Sequence, residues 1–291
     1  VQFDSSLSAV QQKTKAVLQI MRVLTPVYAA LGVAVGQWLT YQTIEPPLLY
    51  TILGGMMIFC MFAFGNISND LLDIDTDSVS NNNRPLVLGT LTKTEVTILT
   101  VCFGSLTLLF GVLGGIQALL VGLGGLFLVT FYNLYLKKVL LIGNVSIAIW
   151  GILPLILIPI VVGIWHWKLL IILLCLSMMI LGNEIISGIP DIEGDKLSGR
   201  KTLATKIGHQ KTFLVGGSIF LAAFLLLGIS FLFLQEPLFF LLTFWGILFT
   251  SIIYVGIKIS KNSRQLGKSY SNKKIVALAF MLTVIVLSIS S

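Results

Sequence analysis

A chain of 291 residues that is 56% hydrophobic and 11% charged, with mean hydropathy +0.97, is too apolar for a soluble domain of its length. It reads as a polytopic membrane protein. The net charge of +7 would suit a nucleic-acid binder, but the basic residues sit between apolar runs, where they mark topology instead; no nucleic-acid partner is expected.

Residues 1 to 16 are polar, without an apolar core or small-residue cleavage site, so no signal peptide is expected. Val10 to Met21 has the pattern of an interfacial amphipathic helix leading into the first span. Apolar runs of about 20 residues, the length that crosses roughly 30 Å of hydrocarbon, then recur nine times. They cover Val17 to Thr40, Leu48 to Leu71, Glu95 to Leu113, Gly115 to Tyr135 and Leu140 to Ile164. Four more follow, at Trp167 to Ile189, Phe213 to Leu234, Pro237 to Ile257 and Lys274 to Ser290. The third and fourth spans are joined by a hinge at Gly114. With the N-terminus in the cytoplasm, the inner segments collect 18 of the 19 Lys and Arg residues and leave only Lys168 outside. The positive-inside rule therefore supports both the orientation and the count. The expected fold is an all-α integral membrane domain spanning residues 1 to 291, with nine helices around a central cavity.

Two stretches at the cytoplasmic side, Asn69 to Asp77 (NDLLDIDTD) and Asp191 to Asp195 (DIEGD), hold seven of the twelve acidic residues. Carboxylates beside hydrocarbon are costly and usually mark an ion path, a proton relay or a metal site. An offset of 118 residues lays Asp191 on Asp73, Asp195 on Asp77 and Ser187 on Asn69, which suggests two parallel four-helix repeats plus one further helix. Asn69, Asp73 and Asp77 recur every four residues, so a continuing second helix would carry them along one face. Five oxygen-bearing side chains from two helices would repel unless a divalent cation compensates. Mg²⁺ suits hard oxygen ligands and commonly bridges carboxylates to phosphates, so the implied ligand is a diphosphate.

Basic residues on the same side, Arg84, Lys137, Lys138, Arg200 and Lys201, could neutralise phosphate oxygens, although each also satisfies the topology rule on its own. A charged mouth above apolar helices fits an amphiphile, with the diphosphate at the mouth and an isoprenoid tail below. Loss of diphosphate from an allylic carbon leaves a carbocation, which aromatic faces stabilise. The candidate aromatics are Phe64, Phe131, Tyr132, Tyr135 and Trp150, with Tyr132 and Tyr135 favoured for lying just before Lys137. The segment Asp77 to Lys93 reads either as a lid over the mouth or as a plain connector.

At these motifs the chain resembles the UbiA superfamily of intramembrane prenyltransferases over most of its length. The family is similar in having nine helices, an NxxxDxxxD motif after the second and a DxxxD motif after the sixth. Here these match Asn69, Asp73, Asp77 and Asp191, Asp195. Arg84 with Pro85, and Gly199 with Lys201 and Thr202, match the flanks. The strings LKKVLLIGNVSIA and PDIEGDKLSG look most similar to the branch of geranylgeranylglyceryl-phosphate and homogentisate prenyltransferases. The resemblance implies two Mg²⁺ ions held by Asp73, Asp77, Asp191 and Asp195, with Asn69 in support, and places Arg22 near the acceptor or the diphosphate. It implies transfer of an isoprenoid chain from a prenyl diphosphate to a lipophilic acceptor, aromatic or lipid-phosphate. The same ionisation also serves a terpene cyclase, which would need no acceptor. An ion-coupled transporter would instead need acids at the bilayer midplane, where only Glu184 is a candidate.

Overall fold

The computed structural model describes residues 8–41, 48–80, 83–189, 192–197, 199 and 201–233, and among these residues there is no strand. The helices are α1 (Ala9–Met21), α2 (Leu24–Tyr41), α3 (Leu48–Leu72), α4 (Ile74–Ser80) and α5 (Lys93–Leu113). They continue with α6 (Ile116–Leu134), α7 (Ile142–Val162), α8 (Trp167–Ser187), α9 (Ile192–Leu197) and α10 (Leu203–Phe233), and a single 3-10 turn occupies Leu136–Lys138. By length and apolarity α3, α5, α6, α7, α8 and α10 can each cross a membrane, and α1 with α2 adds a seventh if their 53° bend is one broken span. These coincide with the first seven spans expected from hydropathy. The last two expected spans lie outside the described residues.

Local chemistry moves three of the expected boundaries. The first span is broken at Arg22, whose left-handed φ of 51° ends α1 while its backbone N–H donates to the carbonyls of Gln19 and Leu18. The hinge between α5 and α6 lies at Gly115 rather than Gly114: Gly114 keeps right-handed helical geometry, whereas Gly115 has φ 96°, which only glycine adopts easily. The seventh helix starts ten residues before Phe213, at Leu203, because Thr202 caps it by accepting the Thr205 backbone N–H at 3.2 Å; a kink at Gly208, φ 78°, follows.

The chain divides into two compact units. The first comprises residues 1–137 and 150–165 and is built around α3, which packs against α1, α2, α5 and α6. At 25 residues α3 is about 37 Å long, so its two ends lie at different depths of a bilayer. Water cannot drive helices together inside lipid, so close backbone approach between small residues matters more there. Gly32 and Gly36, one turn apart on α2, meet Pro154 and Leu155 of α7; a Cβ added at Gly36 would fall onto the Leu155 carbonyl. Phe62 and Trp150 stack at 4.9 Å within the same core. The second unit comprises residues 138–149 and 166–291, and in its described part α10 packs against α8 and α9. There Gly182 and Gly216 provide the close approach: a Cβ on Gly182 would lie 2.7 Å from the Gly216 carbonyl oxygen.

The Gly36 contact is with backbone, which cannot move aside as a side chain can. Gly36→Val is therefore expected to destabilise the first unit by about 1–3 kcal/mol, read as a lowered thermal midpoint in detergent. Gly124→Ala, where a Cβ meets nothing within 4 Å, is the control and should hold or raise that midpoint.

Candidate active site

The C-terminal end of α3 carries two polar stripes. Asn66 and Asp70, four residues apart, form one; Asn69 and Asp73, continued by Asp77 in α4, form the other. The helix bends at Asp73 but keeps its ladder, since the Asp73 N–H donates to the Asn69 carbonyl at 3.0 Å and the Asp77 N–H to the Asp73 carbonyl at 2.8 Å. The four-residue spacing thus places Asn69 beside Asp73, with Asn69 Nδ2 donating to Asp73 Oδ2 at 3.0 Å.

Asp73 is also held from outside α3. Lys137, in the turn after α6, donates from Nζ to Asp73 Oδ1 at 2.5 Å, and both side chains are largely buried, 9% and 13% exposed. Behind them runs a chain of amides and a hydroxyl. Asn69 Nδ2 also donates to Asn133 Oδ1 at 3.2 Å, Asn133 Nδ2 donates to Ser68 Oγ at 3.1 Å, and Ser68 Oγ donates to the Gly65 carbonyl at 3.2 Å. Asn133 is 2% exposed near the C-terminal end of α6. Its partners fix the Asn69 amide so that its nitrogen, not its oxygen, faces Asp73.

The other stripe holds two arginines. Arg22 Nη2 donates to Asp70 Oδ1 at 2.8 Å and Arg84 Nη1 donates to Asp70 Oδ2 at 3.2 Å, on a carboxylate whose side chain is 1% exposed. Arg84 Nε lies 3.7 Å from Asp77 Oδ2, an ion pair without a hydrogen bond, and that buried N–H has no acceptor among the described residues. Burial pushes the Asp77 carboxyl above its ordinary pKa, while the Arg84 guanidinium pulls it back. The segment carrying Arg84 is anchored: Leu86 and Leu91 are buried with Ala16, Ile20, Ile67 and Val96, and Gln19 Nε2 donates to the Asn83 carbonyl at 3.0 Å. From Asn83 to Lys93 it is therefore packed structure on α1, α3 and α5.

Of the residues expected from the sequence, the structure brings together Arg22, Asn69, Asp73, Asp77, Arg84 and Lys137. Tyr132 is half-buried on α6; Tyr135 is 59% exposed and continues an aromatic ladder, Phe127 to Phe131 at 5.7 Å and Phe131 to Tyr135 at 5.2 Å. In the second unit Asp195 is 8% exposed within α9, and Lys201 is exposed just before the α10 cap. Asp191 and Arg200 lie outside the described residues, and Lys138 is described only as backbone. Sequence reasoning missed Asp70 and the Asn133–Ser68 support. A polar amide inside the run Ile116–Leu134 was the available signal for Asn133.

Among the described residues no three His, Cys, Asp or Glu side chains form a ready-made metal cage. Arg22, Arg84 and Lys137 instead neutralise Asp70, Asp73 and Asp77, so the expected repulsion between carboxylates is relieved by the chain's own cations. The donor set still fits Mg²⁺ with an anion beside it: hard oxygens on Asp73 and Asp77, Asn69 orienting Asp73 through its amide N–H, and a guanidinium N–H without an acceptor among the described residues.

Residues 23–282 match the UbiA prenyltransferase family. The chain belongs to that family. The digeranylgeranylglyceryl phosphate synthase of Pyrococcus horikoshii is 30% identical over 278 residues, 93% of this chain and 95% of that one. The enzyme of the same name from Sulfurisphaera tokodaii is 27% identical over 274 residues, 92% and 96% of the two chains. Among solved structures, a UbiA homologue from Archaeoglobus fulgidus bound to DMAPP and Mg²⁺ has TM-score 0.68 at 20% identity, covering 92% of this chain and 98% of that one. A digeranylgeranylglyceryl phosphate synthase structure has TM-score 0.71 at 22% identity, covering 96% and 98%. These likenesses establish the fold, and the family establishes an integral membrane prenyltransferase, which removes the transporter alternative.

Asn133→Leu keeps the branched shape of the side chain and deprives Asn69 of its buried partner. It should cost about 1–2 kcal/mol, seen as a lower thermal midpoint, whereas Tyr135→Leu on the exposed ladder should change that midpoint little.

Proposed function

We propose that this UbiA prenyltransferase moves an isoprenoid chain from a prenyl diphosphate to a lipid-phosphate acceptor, as a single membrane-embedded domain with its site at the cytoplasmic face. The observation that carries the reading is the acceptor-less Arg84 Nε–H beside Asp77, a place for an anionic oxygen among metal-type carboxylates. The names of the relatives favour a lipid phosphate over a phenol as acceptor. The concentration of Lys and Arg in alternate loops supports the orientation.

Asp73 and Asp77, with Asn69 in support, would supply one set of ligands and Asp191 with Asp195 the other, for two Mg²⁺ ions. The 118-residue offset supports that pairing, because it also carries the start of α2 onto α7, Leu24 to Ile142, and that of α4 onto α9, Ile74 to Ile192. Two four-helix repeats and a ninth helix around a cavity follow from the same offset and the full hydropathy pattern.

Mg²⁺, when bound, supplies Lewis-acid activation of the diphosphate leaving group. The residues of the chain do the rest. Lys137 is within reach of the same region as Asp73 and can turn from that carboxylate to a phosphate oxygen. Arg84 offers its free N–H while its Nη1 stays on Asp70. Together they absorb the negative charge that grows on the diphosphate as its bond to C1 breaks, the electron pair leaving with the oxygen. A nucleophilic atom of the acceptor then bonds to C1 and gives up its proton to the released diphosphate or to water at the mouth of the site.

The test is diphosphate release by the purified chain with Mg²⁺ and geranylgeranyl diphosphate, with and without geranylgeranylglyceryl phosphate. Release should depend on the acceptor and on Mg²⁺. Asp73→Ala, Asp77→Ala and Asp195→Ala should each cut it by about 10²-fold or more at unchanged folding, in line with losing charge stabilisation at a leaving group. Equal release without acceptor, accompanied by a cyclic product, would replace transferase by cyclase.

A further inference from the structure

Asp70 has no part in the metal chemistry proposed above, yet it is the most deeply buried carboxylate of the cluster. Both of its oxygens are taken, one by Arg22 Nη2 at 2.8 Å and one by Arg84 Nη1 at 3.2 Å, and its side chain is 1% exposed. It could not ligate a metal without releasing both arginines, whereas Asp73 and Asp77 are 13% and 15% exposed. The two guanidiniums come from separate elements, the α1–α2 break and the segment after α4. Two like charges would not settle side by side without a shared anion.

Other contacts already hold the backbones that carry them. Asn66 Nδ2 donates to the Met21 carbonyl at 2.8 Å, next to Arg22, and Gln19 Nε2 donates to the Asn83 carbonyl at 3.0 Å, next to Arg84. What remains for Asp70 is the aim of the two side chains. Each guanidinium has five N–H donors and spends only one on Asp70, which leaves the rest, including the acceptor-less Arg84 Nε–H, for a second anion.

We infer that Asp70 is a positioning residue that clamps Arg22 and Arg84 into a paired anion receptor for the donor diphosphate. This rests on the diphosphate reading of the same site. Asp70 acts through the arginines and never touches the donor, so its effect should vanish when they are gone.

The experiment is equilibrium binding of a non-hydrolysable prenyl thiodiphosphate to the full chain in detergent with Mg²⁺, alongside thermal midpoints. Asp70→Asn should weaken binding about tenfold or more, the scale of losing well-placed charged hydrogen bonds. In a chain carrying Arg22→Gln and Arg84→Gln, adding Asp70→Asn should change binding by less than about twofold, the non-additivity expected of residues acting as one unit. Asp70→Glu, which keeps the charge on a longer stem, should recover part of the loss, and the Mg²⁺ concentration needed for binding should not move in Asp70→Asn. Equal losses in both backgrounds, no loss at all, or a shift in Mg²⁺ requirement of more than about fivefold would each overturn the inference. If the double arginine variant binds the analogue as well as the parent, the diphosphate reading of these arginines fails first and the inference falls with it.

Discussion

The buried carboxylate of Asp70 is the constraint around which the first unit is arranged. Withdrawing a carboxylate from water costs several kcal/mol even after relaxation, and the Asp70 side chain is 1% exposed. Its charge must be met by cations brought to it, and these are the nearest in sequence on either side, Arg22 before α2 and Arg84 after α4. Arg22 reaches Asp70 from the left-handed residue at the bend between α1 and α2. Such a φ on a residue with a side chain is strained by about 1–3 kcal/mol. The ion pair and the Asn66 amide on the Met21 carbonyl act against that strain at the same place.

The polar end of α3 needs a rigid base, and packing without water supplies it. The crossings of α2 on α7 and of α8 on α10 are made by glycines that let backbone meet backbone. Over the same distance a Leu–Leu contact would be no better than Leu against lipid, so shape rather than hydrophobicity selects the partner. Around α3 the apolar residues Met57, Ile58, Met61 and Ile67 are fully buried, and above them Ser68, Asn69 and Asp70 turn the same helix polar within one turn. The transition from apolar core to paired ions is thus written along a single helix, which is why small shifts of α3 would disturb both.

Most of the helices were legible because hydropathy at the length scale of a bilayer is a strong signal: six of the seven spans it placed in the described part are single helices, and the first falls on the bent pair α1 and α2. The stripe Asn69, Asp73, Asp77 was legible for a different reason, the helical period. Asp70 was not, because it sits one residue off that period and so points to another neighbour, and nothing in a single sequence says that Arg22 waits there. Lys137 was picked out as basic and near the site, but reasoning from topology treats such a lysine as solvated, whereas it is 9% exposed on Asp73. The polar run Ser78 to Asn83 suggested a loose segment; Leu86 and Leu91, only a few residues on, bind its continuation to α1 and α5. Boundaries at Arg22, Gly115 and Leu203 depended on capping and left-handed geometry, which apolar averages smooth over.

The pairing of Asp70, Asp73 and Asp77 with cations bears on how such a site can bind a highly charged substrate next to lipid. If the carboxylates stood alone, the site would carry a large uncompensated charge at low dielectric whenever it was empty. With Lys137 on Asp73, Arg22 on Asp70, and Arg84 shared by Asp70 and Asp77, three cations balance these three acids. On the proposed reading, arrival of metal and diphosphate together is then an exchange of partners: carboxylates pass to the metal and the released cations pass to phosphate. An exchange between ion pairs avoids stranding a bare charge at any stage, which is the costly event in such surroundings. It also assigns different duties to neighbouring acids. Asp73 and Asp77 must be able to let their cations go, while Asp70, sealed from solvent with both oxygens engaged, keeps two of the cations at hand throughout.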